Sequence, residues 1–522
     1  METNSKRRNV RSHFGKSVKV RMGRKHDIRS TLKSAFRCFP LVLIIALFTD
    51  SSRALALFME EQTLPRAAWS VAINETRLII GAPAEDSEKG AVYVYRYNND
   101  TRTWQQEQKL IAADGEIGDQ FGFSVAMFDN RIIVGAPLDQ DNGTASGSAY
   151  VFRFQPELMT WLQEQKIIAS DGAPFDFFGY STAIGTNRAF IGSPLDDDKG
   201  SRSGAVYVYK VDPQTRIWTL EDKLLASDGK EEGHLGISVA IEGDRIVAGA
   251  YLDRHNDVQS GSAYLFRYDS GLADWIEEEK LTPPDGHDFG LFGISVGVSH
   301  ERIVVGTQQV GSDGKSAAYV FRYNDGTMAW GQEQKVTASH SRPGDTFGYA
   351  VAIHGDTIVA GDPFTSTDTA YVFQFDDETM SWTQKQQLTA SGGSSGNRFG
   401  LSVALAGDLI AVASNVAAYI FRFAPDSDGD GVPDEQDQCP LSDTRPTVIV
   451  GTCDSGVGNI LLPEPTGCTI SDEILKLADN ANSHGQFVSQ VDKFLLKLQK
   501  AGILEANEKS RIKDCAAQST LP

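Results

Sequence analysis

Phe121-Gly122-Phe123-Ser124-Val125-Ala126-Met127-Phe128-Asp129-Asn130-Arg131-Ile132-Ile133-Val134-Gly135-Ala136-Pro137 is the stretch that decides the fold. Two runs rich in β-branched and aromatic residues flank Asp129-Asn130, a pair suited to a tight turn, and Gly135-Ala136-Pro137 stops the second run. Downstream, 148–154 and 160–168 have the same character, so the stretch reads as four strands, with the first two at 122–127 and 131–135. No segment of helical period intervenes.

The unit recurs. Trp104, Trp161, Trp218, Trp275, Trp330 and Trp382 stand 57, 57, 57, 55 and 52 residues apart. Phe121-Gly122, Phe178-Gly179, Leu235-Gly236, Phe292-Gly293, Phe347-Gly348 and Phe399-Gly400 keep step with them. A degenerate copy begins near Ala67, where Trp69-Ser70-Val71-Ala72 stands opposite Phe123-Ser124-Val125-Ala126. Seven such units arranged radially make an all-β, seven-bladed β-propeller of four-stranded blades, which limits exposed strand edges. An open solenoid is the alternative, but it needs polar capping repeats and none is visible. The ends argue for closure. Six copies finish with a strand such as Trp275–Pro283, the seventh stops at Phe421-Arg422-Phe423, and the missing piece stands at Met59-Glu60-Glu61-Gln62-Thr63-Leu64-Pro65. That segment is expected to complete the last blade. One Trp per period at a fixed strand position reads as packing between blades and not as a sugar platform.

Phe-Gly-x-Ser-Val-Ala, an apolar strand, then Gly-Ala-Pro resembles the FG-GAP repeat of integrin α-chain propellers and their bacterial relatives. Phe178-Gly179 with Gly192-Ser193-Pro194 and Phe347-Gly348 with Gly361-Asp362-Pro363 are close copies of the first stretch. The resemblance covers about residues 57–424 and implies an extracellular recognition or adhesion role without naming a ligand. Integrin blades often carry a calcium loop between the first two strands. Here 128–131, 242–245 and 354–357 are too short to wrap six or more oxygen ligands around calcium. Asp139/Asp141 and Asp196/Asp198, in longer second-to-third-strand loops, could hold a cation, but a solvated acidic loop is the reading they favour. Because strands within a blade are antiparallel, these loops and those between blades emerge on one face. Binding residues gather on such loops.

The 522-residue chain carries a net charge of −20 and is 41% hydrophobic, which excludes wholesale disorder. Residues 1–56 hold 13 Lys/Arg and 3 Asp/Glu, so the remainder is at −30 and repels nucleic acid. Residues 1–37 are basic and polar, 38–48 are apolar, and Ala54-Leu55-Ala56 is a cleavage-type site, so 1–56 reads as a secretory signal, with an uncleaved anchor as the alternative and Met22 as an alternative start. No membrane span is expected after cleavage.

At 425–440 the composition changes. Asp426, Asp428, Asp430, Asp434 and Asp437 occupy positions 1, 3, 5, 9 and 12 of a loop, Gly431 permits the sharp turn, and the Val432 carbonyl can ligate at position 7. The hard ion such oxygens suit is Ca²⁺. With Cys439-Pro440 after it, the loop resembles a thrombospondin type 3 repeat. A disordered acidic linker is the alternative. Cys439, Cys453, Cys468 and Cys515 suggest two disulfides with three possible pairings. No close Cys-x-x-Cys pair speaks for zinc. The rest of 441–522 reads as helices, 471–480, one opened by Ser483 and Gln486 and stopped by Gly502, and 505–517. Similar tails follow such calcium repeats in bacterial exported proteins.

The expected function is a secreted or surface-displayed, calcium-binding recognition protein whose loop face holds an extracellular protein or glycan. Propellers also host enzymes acting on polysaccharide. Here the propeller histidines fall at non-equivalent positions and no Gly-x-Ser-x-Gly, His-Glu-x-x-His or P-loop occurs. A structural matrix component is the third reading.

Overall fold

A computed structural model describes residues 57–255, 258–310, 315–365, 368–391, 396–425, 434, 439, 445–460, 462 and 468–521. Every described residue belongs to one unit, Ser52–Pro522. The signal segment therefore lies outside the described residues.

Seven antiparallel four-stranded sheets form the propeller. In the second blade the strands are Ser124–Phe128, Arg131–Ala136, Ser148–Gln155 and Thr160–Ile167, within two residues of the sequence expectation. The first blade spans 70–110, and the third to sixth span 181–224, 235–281, 296–336 and 350–388. The second strands are buried almost throughout because each blade is stacked between two others. Ile79, Val92 and Leu110 of the first blade thus share one core with Ile132, Val134 and Tyr150 of the second. This is why these strands read as continuous apolar runs rather than alternating ones.

Leu57–Leu64 completes the seventh blade as the sequence led us to expect. It pairs antiparallel with Ala418–Ala424, setting Phe58 against Phe423 and Leu64 against Ala418. It also reproduces the repeat's contacts with both neighbours. At Trp161, Trp218 and Trp382 a strand-four Glu of the preceding blade accepts the indole N–H: Glu107 takes Trp161 at 3.0 Å and is itself held by Arg77 at 2.9 Å. Glu61 does the same for Trp104 (3.0 Å) and Arg422 (2.9 Å). Gln62 bonds the backbone of Trp104 as Gln108 bonds that of Trp161. At the other interface Gln386 clasps the Phe58 backbone at 2.7 and 2.8 Å. All six Trp are at most 8% exposed, in agreement with a packing role.

The repeated Phe-Gly and Gly-Ala-Pro are two halves of one contact. Gly179 of one blade lays its carbonyl on Gly135 of the blade before, where any side chain would overlap the oxygen, and Ser124 donates to the same carbonyl at 2.9 Å. Gly122 is held at φ +93°, which a side chain would strain.

The C-terminal segment has its own small core, centred on Val448, Ile474, Phe487, Val491, Leu495 and Ile512. Its helices are Ile470–Asp479, His484–Lys500 and Ala506–Gln518, close to the expected ones. Ser483 accepts the Gln486 N–H, whereas the Gln486 side chain accepts from Asn482, so only half of the expected capping box forms. The helices-only reading of the tail needs correction. A hairpin of Thr447–Val450 and Cys453–Gly458 precedes them, too short to announce itself by periodicity. Of the three pairings, the disulfides are Cys439–Cys468 and Cys453–Cys515. Among the described residues no helix is long and apolar enough to cross a membrane.

Candidate recognition face

The connections between first and second strands are tight turns. Phe128 pairs with Arg131, Glu242 with Arg245 and His354 with Thr357, which leaves two residues in each turn. The opposite face carries the long loops, and they are knitted together. The end of one blade's second-to-third loop bridges the start of the next blade at Gly90–Phe121, Gly147–Phe178, Gly204–Leu235 and Gly261–Phe292.

The acidic residues of this face are not a solvated fringe, which corrects the sequence reading. In the second blade Lys166 reaches Asp114, Asp139 and Asp141 at 2.8, 2.9 and 2.7 Å, and the Tyr150 hydroxyl donates to Asp139 at 2.9 Å. In the third, Lys223 reaches Asp171, Asp196 and Asp198 at 2.8, 2.8 and 2.6 Å, with Tyr207 donating to Asp196 at 2.7 Å. Lys280 with Asp228 and Asp253 beside Tyr264, and Lys335 with Asp285 beside Tyr319, repeat the pattern. In the first blade Lys109 and Tyr93 share Glu85. Asp139 and Asp196 are buried, and their own lysine fills the place a cation would take. Burial alone would pull the Lys166 ammonium down, but the surrounding carboxylates outweigh it and hold its pKa above the ordinary value. Burial likewise pushes Asp114, Asp171 and Asp228 up, and their lysines outweigh it, so all three lie below the usual carboxylate range. The signal was present in the sequence, because the lysine stands five residues after the marker Trp in five copies.

Where the first strands begin, the residue following Phe-Gly points to the axis. Trp69, Phe123, Tyr180, Ile237, Ile294, Tyr349 and Leu401, one from each blade, line a cavity of about 210 Å³ together with Tyr251. All but Leu401 are only half-buried. The rings of Trp69 and Phe123 lie 5.6 Å apart, and those of Phe123 and Tyr180 lie 4.8 Å apart. Sequence reading passed over this ring, although an apolar residue after every Phe-Gly was there to be seen.

The family profile described as FG-GAP repeat matches six segments: 104–152, 161–209, 218–266, 275–321, 330–373 and 382–421. The chain belongs to the FG-GAP repeat family. Each matched FG-GAP segment runs from the outermost strand of one blade through three strands of the next. The chain is also 28% identical over 153 residues to integrin alpha-E of Homo sapiens, a match covering 27% of this chain and 13% of that protein. It thus spans only a small part of the curated relative's length. A solved structure from Bacteroides uniformis, provisionally described as a 6-phosphogluconolactonase, superimposes with a TM-score of 0.44 and 13% identity over 65% of this chain and 89% of that one.

The sixth FG-GAP blade departs from its siblings. At the lysine position it has Gln387, and at the positions of Asp114 and Asp139 it has His340 and Thr365. Tyr371 keeps the tyrosine position. These four, with Arg342, Asp345 and Asp362, line an open cavity of about 280 Å³. Asp362 stands where the other blades have Ala136, Ser193, Ala250 or Thr307 and is 1% exposed. Its Oδ1 accepts from the Thr346 N–H (2.7 Å) and hydroxyl (3.1 Å). Burial pushes its carboxyl up to about 6 against those hydrogen bonds, helped by Asp345 and Asp368.

Of the residues expected to ligate calcium, Asp426, Asp428, Asp430, Val432 and Asp437 lie outside the described residues. Asp434 is described, and its N–H donates to the Pro425 carbonyl at 2.8 Å.

Proposed function

We propose that the chain is an extracellular recognition protein, secreted or displayed at a cell surface, whose propeller holds a protein or glycan on the loop face and performs no catalysis. The observation that carries this reading is the axial ring. Seven apolar residues, one from each blade of a rigid support, converge on one cavity, and half-exposed aromatic rings suit both apolar side chains and sugar faces. Membership of the FG-GAP family, the match to integrin alpha-E and the two disulfides support an oxidising, extracellular setting. The Asp426–Asp437 loop binds calcium in this reading and stiffens the junction to the C-terminal segment, on the strength of its oxygen spacing. The test is an array of extracellular proteins and glycans probed with the mature chain, with and without calcium. Tyr180→Ala and Trp69→Ala should abolish the signal that the native chain gives. A signal indifferent to both substitutions would place recognition elsewhere.

A further inference from the structure

Five of the seven blades carry their own ammonium group on the loop face; the sixth has Gln387 and the seventh Thr63 at that position. In blades two to four the ammonium sits between carboxylates at 2.6–2.9 Å, under a tyrosine hydroxyl that donates to the same carboxylates. In the sixth blade the ammonium, the inter-blade acid and the loop acid have all been replaced, by Gln387, His340 and Thr365. If that were simple decay, the place would be neutral and closed. It is neither. A cavity of about 280 Å³ remains, and a carboxylate has entered it from another direction, since Asp362 lies on the strand beneath.

Three features give the cavity a cation-seeking character. Asp362 is 1% exposed, and among the described residues no donor reaches its Oδ2. Asp345 lines the same cavity, and its charge adds to the cost of ionising Asp362. The Tyr371 hydroxyl accepts from Thr369 at 3.4 Å, whereas its counterparts in blades two to four donate to an aspartate. A buried, half-satisfied carboxylate is costly unless a cation arrives. His340 and Arg342 stand exposed at the rim, and the hydrogen bonds that tie Arg342 to Asp345 are made by its backbone: its N–H donates to the carboxylate at 2.6 Å and its carbonyl accepts the Asp345 N–H at 3.2 Å.

We propose that this cavity binds the primary ammonium group of a ligand, a lysine side chain of a protein partner, in the place that Lys166, Lys223 and Lys280 fill in their own blades. The repeat itself argues for ammonium: the same tyrosine, on the same strand, has a lysine ammonium over its ring at 4.8–5.5 Å in every blade from the first to the fifth. The inference goes beyond the axial-ring reading and does not depend on it, because its probe is a small molecule.

Calorimetric titration of the full mature chain with Nα-acetyl-lysine methylamide tests it, with n-butylamine as the free-amine probe and the uncharged norleucine analogue as control. The native chain should bind the lysine amide saturably and ignore the norleucine analogue. Asp362→Asn should weaken binding at least about tenfold, since it removes the charge and keeps the shape. Gln387→Lys should abolish binding while the chain stays folded, because the blade then supplies its own ammonium. Arg342→Ala should leave binding intact or improve it. Tighter binding of the lysine amide than of butylamine assigns the site to a protein lysine, whereas the reverse order assigns it to free amines and overturns the protein partner. No saturable binding by the native chain, or equal binding by folded Gln387→Lys, overturns the proposal altogether. Loss of array binding in the axial-ring variants with lysine-amide binding retained would separate this site from the recognition ring.

Discussion

In the third blade, Lys223 lies among Asp171, Asp196 and Asp198 with Tyr207 above them. At the same places the sixth blade offers Gln387, His340 and Thr365 with Tyr371, and a newly introduced buried acid, Asp362. The backbones match strand for strand. One blade sets its own ammonium among its carboxylates, and the other leaves a buried carboxylate facing a cavity with no ammonium of its own. A repeat protein can thus keep its architecture in every copy and specialise one, because the strand-to-strand contacts that hold the ring do not involve the loop-face charges.

That separation can be broken at several points. The largest effect should come from deleting residues 57–65. The deletion bares the edge of the seventh blade, removes Phe58 and Leu64 from two inter-blade cores and leaves the Trp104 indole without Glu61. Loss of at least about 5 kcal/mol in urea unfolding is expected, from the cost of two large core side chains alone. Unchanged unfolding and protease resistance would mean that the ring does not need its closing strand.

Lys223→Met comes next. It strands Asp196, which is 3% exposed, beside two further carboxylates, and about 3 kcal/mol should be lost. Gln387→Met in the sixth blade removes no charge and should cost under about 1 kcal/mol. Equal costs would show that the cages are ornamental.

Asp362→Asn should stabilise the chain, and only at higher pH. The folded chain holds this proton more tightly than the unfolded one, so the ionised carboxyl costs stability above about pH 6, and the cost fades as pH falls toward 4. The gain at pH 7.5 should be on the order of 2 kcal/mol and should vanish near pH 4. The groups facing it are Asp345, Asp368, His340 and Arg342. The caged acids Asp114, Asp171 and Asp228 have the opposite sign. Their folded values are lowered, so their contribution is present at neutral pH and is lost as pH falls below the usual carboxylate range. A melting-temperature profile that is flat for Asp362→Asn relative to the native chain would contradict the burial argument.

The smallest effect on global stability is expected from removing calcium. Chelator should expose a proteolytic cut near 424–440 and leave 57–424 resistant, because in blades two to four the buried loop carboxylate is paired with a lysine. Collapse of the propeller in chelator would show that its loops hold calcium after all.

How far these features could be read in the sequence follows their range. The closing strand was legible because Met59–Pro65 copies a fourth strand seen six times elsewhere, and a register of that kind is local information. The Trp were legible as packing for the same reason. The lysine cages were not, because Lys166 lies 27 residues from Asp139 and 52 from Asp114, and only the folded blade makes them neighbours. The axial ring escaped for a different reason: its members share a position and an apolar character but no residue type, running from Trp to Ile to Leu, and only the closed ring brings them together. Cysteine pairing needed the hairpin that brings Cys453 to the helix carrying Cys515.

Recognition at the loop face is tested most directly by hydrogen–deuterium exchange of the mature chain with and without the ligand that the array identifies. Protection should appear in 111–123, 168–180, 225–237 and 337–349, around the axial ring and the sixth-blade cavity, and the tight turns at 128–131, 242–245 and 354–357 should exchange as before. Protection confined to those turns, with the ring unchanged, would contradict the account.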